Sequence, residues 1–184
     1  MKKVPFGNDS NMTSTFDFRP ATKTDLTEIL HFPLDQAELF YFFPSATYPL
    51  TLKQLEKQLS NRHKSTVMLE NSTCQKNKII GFVNFYNVEN RNIAFIGNLI
   101  IKPDKRAQGL GKKLVQTMII TGFKQLNLKE VHLSCYNKNT RALLFYERLG
   151  FKPYAIEKRQ DFNDQPVDLI HMKVKKDHFF AKKS

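Results

Sequence analysis

The feature that most constrains this chain is a single change of hydrophobic period between Ile93 and Phe123. From Ile93 to Lys102 the residues are almost continuously apolar, as in a central strand buried on both faces, and Pro103 follows. Beyond it Leu110, Leu114 and Met118 recur every four residues beside Val115, Ile119 and Phe123, which predicts a helix with one face in the core. A buried strand that runs through a short turn into a core-facing helix points to a mixed α/β layer structure. Gly97 interrupts the strand, and because an interior glycine weakens a strand, it predicts a bulge or a close backbone approach.

The rest of the chain reads consistently with that unit. Residues 1–14 are polar and carry Pro5 and Gly7, so they are expected to form a flexible arm before a single domain over 15–175. Thr15–Arg19 alternates as a short strand ended by Pro20, and Thr24 with Asp25 opens a helix bearing Leu26, Ile29 and Leu30. Pro33, Pro44 and Pro49 break up the next stretch, and Thr51 caps a helix with Leu52, Leu55 and Leu59. Strands are predicted over 65–70 and 78–87 with a turn over 71–77, then over 130–136 and as a hairpin of 152–159 with 167–174. Asn139 opens a helix carrying Ala142, Leu143, Phe145, Tyr146 and Leu149, which Gly150 closes. The basic segment 176–184 is expected to be a frayed tail.

Composition removes several function classes. The 184 residues include 29 Lys and Arg against 17 Asp and Glu, a surplus of +12, and 41% are hydrophobic, far too many for a disordered chain. Two cysteines, Cys74 and Cys135, make no disulfide framework and fit a reducing, cytoplasmic setting. No stretch approaches the roughly 18–20 apolar residues of a membrane span. The five histidines show no metal-ligand spacing, so no metal is expected. The basic residues compose no nucleic-acid recognition motif, so the charge is not assigned to nucleic acid.

The chemistry sits in the turn between strand and helix. Gly109 and Gly111 allow close backbone approach, the first amides of the helix have no partner within it, and its positive end with Arg106, Lys112 and Lys113 favours phosphate oxygens. A glycine pair there is equally compatible with a strand-to-helix turn that binds nothing. The dinucleotide fingerprint fails because Leu114 stands where its third glycine belongs. The P-loop fails at Arg106 and Lys113.

Arg106-Ala107-Gln108-Gly109-Leu110-Gly111 resembles the Arg/Gln-x-x-Gly-x-Gly/Ala signature of the GNAT superfamily of acyl-CoA-dependent N-acyltransferases. Asn139 through Phe151 is similar to that family's second signature, Asn-x-x-Ala-x-x-x-Tyr-x-x-x-Gly-Phe, and the element order from Phe16 to Val174 fits as well. The resemblance implies a mostly antiparallel sheet of six to seven strands flanked by about four helices. It implies transfer of an acetyl group from acetyl-CoA to a primary amine, in a monomer or homodimer. The amide of Leu99 would polarise the thioester carbonyl, Ile100 and Ile101 would border the pantetheine arm, and Gln108, Gly109, Leu110, Gly111 and Lys112 with Arg106 would hold the pyrophosphate. Asn139 and Arg141 would line the cofactor, and Tyr146 would protonate the departing thiolate. Asn139 also suits a simple helix cap, and Tyr146 a core aromatic.

The resemblance supplies no general base. The strand position where some members carry glutamate holds Ser134, and the central strand offers Gly97 and Asn98. His132, Glu70 or a water chain remain as alternatives. On the acceptor side Tyr41, Phe42, Phe43 and Tyr48 would line a pocket, with Glu38, Asp161 or Asp164 drawing an ammonium group; packing of a proline-bent loop explains the aromatics equally well. The acceptor stays open between a small amine, a peptide N-terminus and a lysine. A non-catalytic member that binds acyl-CoA as a sensor or partner module is the alternative function.

Overall fold

The computed structural model describes residues 16–71, 78–89 and 92–181. Seven strands form one sheet in the order β1-β2-β3-β4-β5-β7-β6. They are β1 (Phe16–Pro20), β2 (His63–Glu70), β3 (Lys78–Glu89), β4 (Ile93–Ile101), β5 (Glu130–Tyr136), β6 (Lys152–Gln160) and β7 (Pro166–Lys175). Every neighbouring pair is antiparallel except β4 with β5, which α4 (Leu110–Lys124) connects as a crossover. The helices before the central strand are α1 (Leu26–Ile29), α2 (Gln36–Phe42) and α3 (Leu52–Leu59); those after α4 are α5 (Thr140–Arg148) and α6 (Lys176–Ala181). No described helix is long and apolar enough to cross a membrane.

The sheet carries a core on each face. Leu110, Leu114, Val115, Met118, Ile119 and Phe123 of α4 are all buried against Val83, Phe85, Ala94, Ile96, Val131 and Leu133, as the four-residue period predicts. On the other face Leu26, Ile29, Leu39, Phe42 and Leu55 pack over Val67, Ile79, Phe82 and Ile100. This second layer covers strands β2 to β4.

Four local expectations change. The helical start at Thr24 lies two residues earlier, at Thr22, whose amide donates to Asp25 Oδ2 (2.7 Å) ahead of a 3-10 turn, Lys23–Asp25. Between the prolines there is a helix, α2, where sequence reading left an irregular stretch. Asp35 caps it by accepting from the Glu38 amide (2.8 Å), while Glu38 accepts from the Leu34 amide (3.0 Å). Residues 176–181 are α6 rather than a frayed tail, because Phe179 is buried and its ring lies 5.8 Å from that of Phe123. Six α-helices stand among the described residues, two more than expected. The arm over 1–14 and most of the turn over 71–77 lie outside the described residues.

The strand break at Gly97 serves two purposes. Phe82 pairs with Ile100 and Asn84 with Gly97, so Asn98 and Leu99 oppose Val83 alone and form the expected bulge, with Asn98 at φ +48°. A Cβ on Gly97 would also stand 2.7 Å from the Tyr86 ring, which crosses the strand there.

Candidate active site

The bulge opens the sheet where chemistry is expected. The β4–β5 register runs from Ile93–Glu130 to Ile96–Leu133 and stops, so no residue of β5 or β3 is in register with Leu99 among the described residues. A cleft of about 480 Å³ occupies the gap. Its lining runs from Gly109, Leu110, Gly111 and Lys112 past Leu99, Ile100 and Ile101 to Asn139, Arg141 and Tyr146, with Tyr41 and Phe42 on the opposite wall. The volume falls within the range of small-molecule sites.

The turn at the head of the cleft is shaped for an anion. Ala107 at φ +60° and Gly109 at φ +74° reverse the backbone, and among the described residues no amide from Ala107 to Gly111 donates to a backbone carbonyl. The first bonds into the turn come from Lys112 and Lys113, both to the Gly109 carbonyl (3.1 and 3.4 Å). Partnerless amides and the positive end of the 15-residue α4 therefore meet at one point. Gln108 is exposed and lies outside the cleft lining, its side chain 3.5 Å from the Asp104 carbonyl.

Arg106 lines the cleft as well, but its guanidinium is tied to protein acceptors. Its Nη1 and Nη2 donate to the two Glu38 oxygens (2.5 and 3.0 Å), Nη2 donates to the Phe32 carbonyl (3.2 Å), and Nε donates to the Ile101 carbonyl (3.1 Å). The guanidinium thus joins the end of β4 to α2 and is committed to protein acceptors. Arg106 donates to Glu38 strongly enough to hold that carboxyl below its usual range, despite the cost of desolvation. Lys102 pairs with Glu28 (3.2 Å), Lys105 with Glu70 (2.7 Å), and Lys113 lies over the Phe16 ring (4.5 Å). Lys112 and Arg141 are left as cleft cations without an ion-pair partner among the described residues.

At the inner end Asn139 accepts from the Ala142 amide (3.2 Å) and also lines the cleft, so its capping and cleft positions coexist. Tyr146 packs beside Phe145 and Phe151, and burial, with Cys135 and Tyr86 nearby, pushes its phenol well above the ordinary range. A phenol so placed keeps its proton at neutral pH and is present in its acid form. Cys135 is buried and its thiol is pushed up to about 12 by desolvation, as suits an apolar filler.

The acceptor-side expectations divide. Tyr41 and Phe42 face the cleft, whereas Phe43 is buried in the second core and reaches no ligand surface. Phe40 is buried too and lies outside the cleft lining, but its ring backs Tyr41 and stands 4.5 Å from Tyr136 of β5 and 5.7 Å from Phe162 in the β6–β7 loop. His132 is buried, with its ring nitrogens 2.8 Å from the Tyr154 hydroxyl and 2.9 Å from Glu130, and does not line the cleft. Burial holds its pKa below the usual histidine value in spite of Glu130. Ser134 is bonded to His171, which sequence reading left among the ordinary histidines. The signal available was period: His132, Ser134 and His171 all fall on the face opposite the Leu133–Met172 core.

The model of the acetyltransferase (GNAT) family matches residues 28–151. An uncharacterised N-acetyltransferase of Methanocaldococcus jannaschii is 28% identical over an alignment of 156 residues that covers 80% of this chain. The chain spans 66% of that relative's length. Among solved structures, the spermidine N-acetyltransferase of Vibrio cholerae in complex with CoA and spermine superposes with a TM-score of 0.75 at 20% identity, over 91% of this chain and 99% of that one. The ribosomal-protein-S18-alanine N-acetyltransferase of Escherichia coli gives 0.67 at 21%, over 88% and 94%. At these identities the two structures share the fold.

Proposed function

Because the chain belongs to the acetyltransferase (GNAT) family, we propose that it transfers the acetyl group of acetyl-CoA to a primary amine by direct attack. The observation that carries this reading is the continuity of one cleft from the partnerless amides of the Ala107–Gly111 turn, past the opened seam at Leu99, to the protonated Tyr146. Acetyl-CoA supplies the activated acyl group, and the protein's task is placement and proton management. The turn amides with Lys112 and Arg141 receive the phosphates, Leu99 turns its amide toward the carbonyl oxygen, Asn139 borders the pantetheine arm, and Tyr146 holds the proton for sulfur.

The acceptor is an amine with an apolar body and a single positive charge. Tyr41, Tyr136 and Phe162, with Phe40 behind them, supply an aromatic wall. Glu38 and Asp161, the acids expected to draw an ammonium group, are already held by Arg106 and Lys138 (2.7 Å). Asp164 alone of the three has no ion-pair partner among the described residues, so a polycation finds little to bind in a chain of net charge +12.

The test is thiol release from acetyl-CoA with three acceptors: an alanine-started tripeptide, phenethylamine and spermidine. The wild type releases thiol, with spermidine the poorest of the three. Tyr146→Phe lowers kcat about 100-fold and leaves acetyl-CoA affinity within about twofold. No release with any amine, while acetyl-CoA at a hundredfold excess over Kd still stabilises the fold by about 2.7 kcal/mol, would establish the non-catalytic alternative.

A further inference from the structure

An amine can attack only after losing its ammonium proton, and the base position implied by the family resemblance holds Ser134. Ser134 follows Leu133, the last β5 residue paired with β4, so it lies where the two strands part, just outside the lining of the cleft itself. Leu133 and Cys135 belong to the core against which Tyr146 packs. Ser134 faces the other way, so the acid for sulfur and the serine lie on opposite faces of β5.

The serine is backed by an imidazole. Across the β5–β7 pair Ser134 Oγ lies 2.8 Å from His171 Nδ1, and His171 Nε2 lies 3.5 Å from a Glu157 carboxylate oxygen on β6. The Tyr86 hydroxyl approaches Ser134 Oγ at 3.5 Å from β3, and its ring reaches over β4 only because Gly97 has no Cβ. Resting on the acetyl-transfer reading, we infer that His171 takes the acceptor's proton through Ser134, with Glu157 orienting the ring as a positioning residue.

The ammonium gives one proton to Ser134 Oγ while Ser134 passes its own to His171 Nδ1, in the tautomer whose Nε2–H points toward Glu157. The freed lone pair forms the N–C bond as the C–S bond breaks, and sulfur takes the Tyr146 proton. The second nitrogen proton restores Tyr146, and His171 releases the first to water at its edge, 21% exposed. The products are amide, thiol and one proton. The groups around this imidazole are Tyr86 from β3, which meets Ser134 with Arg62 over its ring (4.8 Å), and His132 from β5, itself paired with Glu130. Tyr154 and Glu157, the latter bridged to Arg159, face it from β6, with Lys173 on its own strand.

Nitrogen-15 NMR of histidine-labelled protein decides the geometry without turnover: neutral His171 carries its proton on Nε2, and a proton on Nδ1 overturns the relay. With the best of the three acceptors above, Ser134→Ala and His171→Gln each lower kcat/KM about 100-fold near pH 7. Each also loses the acidic limb of the pH profile, and the double variant is no worse than either single. A His171→Gln enzyme that keeps its rate and acidic limb, or losses that multiply in the double variant, overturns the inference. Melting temperature and acetyl-CoA affinity, unchanged in both variants, separate these results from misfolding. A wild type that acetylates none of the three overturns the acetyl-transfer reading itself, and the relay with it.

Discussion

Asp25 shows how much a single side chain contributes to the layer that walls the acceptor side. Arg19 donates two hydrogen bonds to it (2.6 and 2.8 Å), the Thr22 amide adds a third, and together they hold its pKa at about 2 against desolvation. The folded value lies below the unfolded one, so the unfolded chain binds the proton more readily. The stabilisation is complete above the ordinary Asp value and is lost as pH falls from about 4 toward 2. It amounts to about 2 kcal/mol, and Asp25→Asn removes it at pH 7 and flattens that acid window, as thermal unfolding from pH 2 to 7 would record. The pair was invisible in the sequence because its partners sit in a strand and in the turn that follows, and only the direction of β1 brings them together. Tyr146, by contrast, was legible from the signature alone, and burial added what no spacing carries, the direction of its pKa.

At the scale of elements, period was the reliable signal. The boundaries of α4 and β5 and the Asn139 cap of α5 follow the sequence closely, since each has a clean hydrophobic alternation or cap beside it. The α2 helix was masked by its flanking prolines and its aromatics, although Asp35 three residues before Glu38 is a helix-start pattern: Asp35 accepts from the Glu38 amide and Glu38 from the Leu34 amide. The α6 helix was missed because its charge masked Phe179. Phe179→Ala should destabilise the protein by about 3 kcal/mol, read by urea unfolding, and a change below 0.5 would return the segment to a dispensable tail. Gly97→Ala forces the Tyr86 ring aside and should cost about 1–3 kcal/mol, with Tyr86→Ala in the same chain relieving most of that strain.

For the whole molecule, the +12 surplus divides differently from its appearance in sequence. Lys102, Lys105 and Arg106 are spent on Glu28, Glu70 and Glu38, so the cationic cluster before α4 is chiefly a set of ties to the rest of the fold. Lys112 and Arg141 remain as the cleft cations without an ion-pair partner among the described residues, the two that the proposed acetyl-CoA site would use. Lys112→Ala and Arg141→Ala should each weaken acetyl-CoA several-fold and flatten the dependence of its Kd on salt, whereas Lys105→Ala should change that slope little. The Arg106–Glu38 bridge has a kinetic consequence. Because it fastens the turn before α4 to the helix that carries Tyr41 and Phe42, acetyl-CoA seated on that turn as proposed should steady the proposed acceptor wall before any amine arrives. Substrates should therefore add in a compulsory order, acetyl-CoA first, with CoA inhibiting competitively against acetyl-CoA and noncompetitively against the amine. Glu38→Gln cuts that tether and should turn the order random.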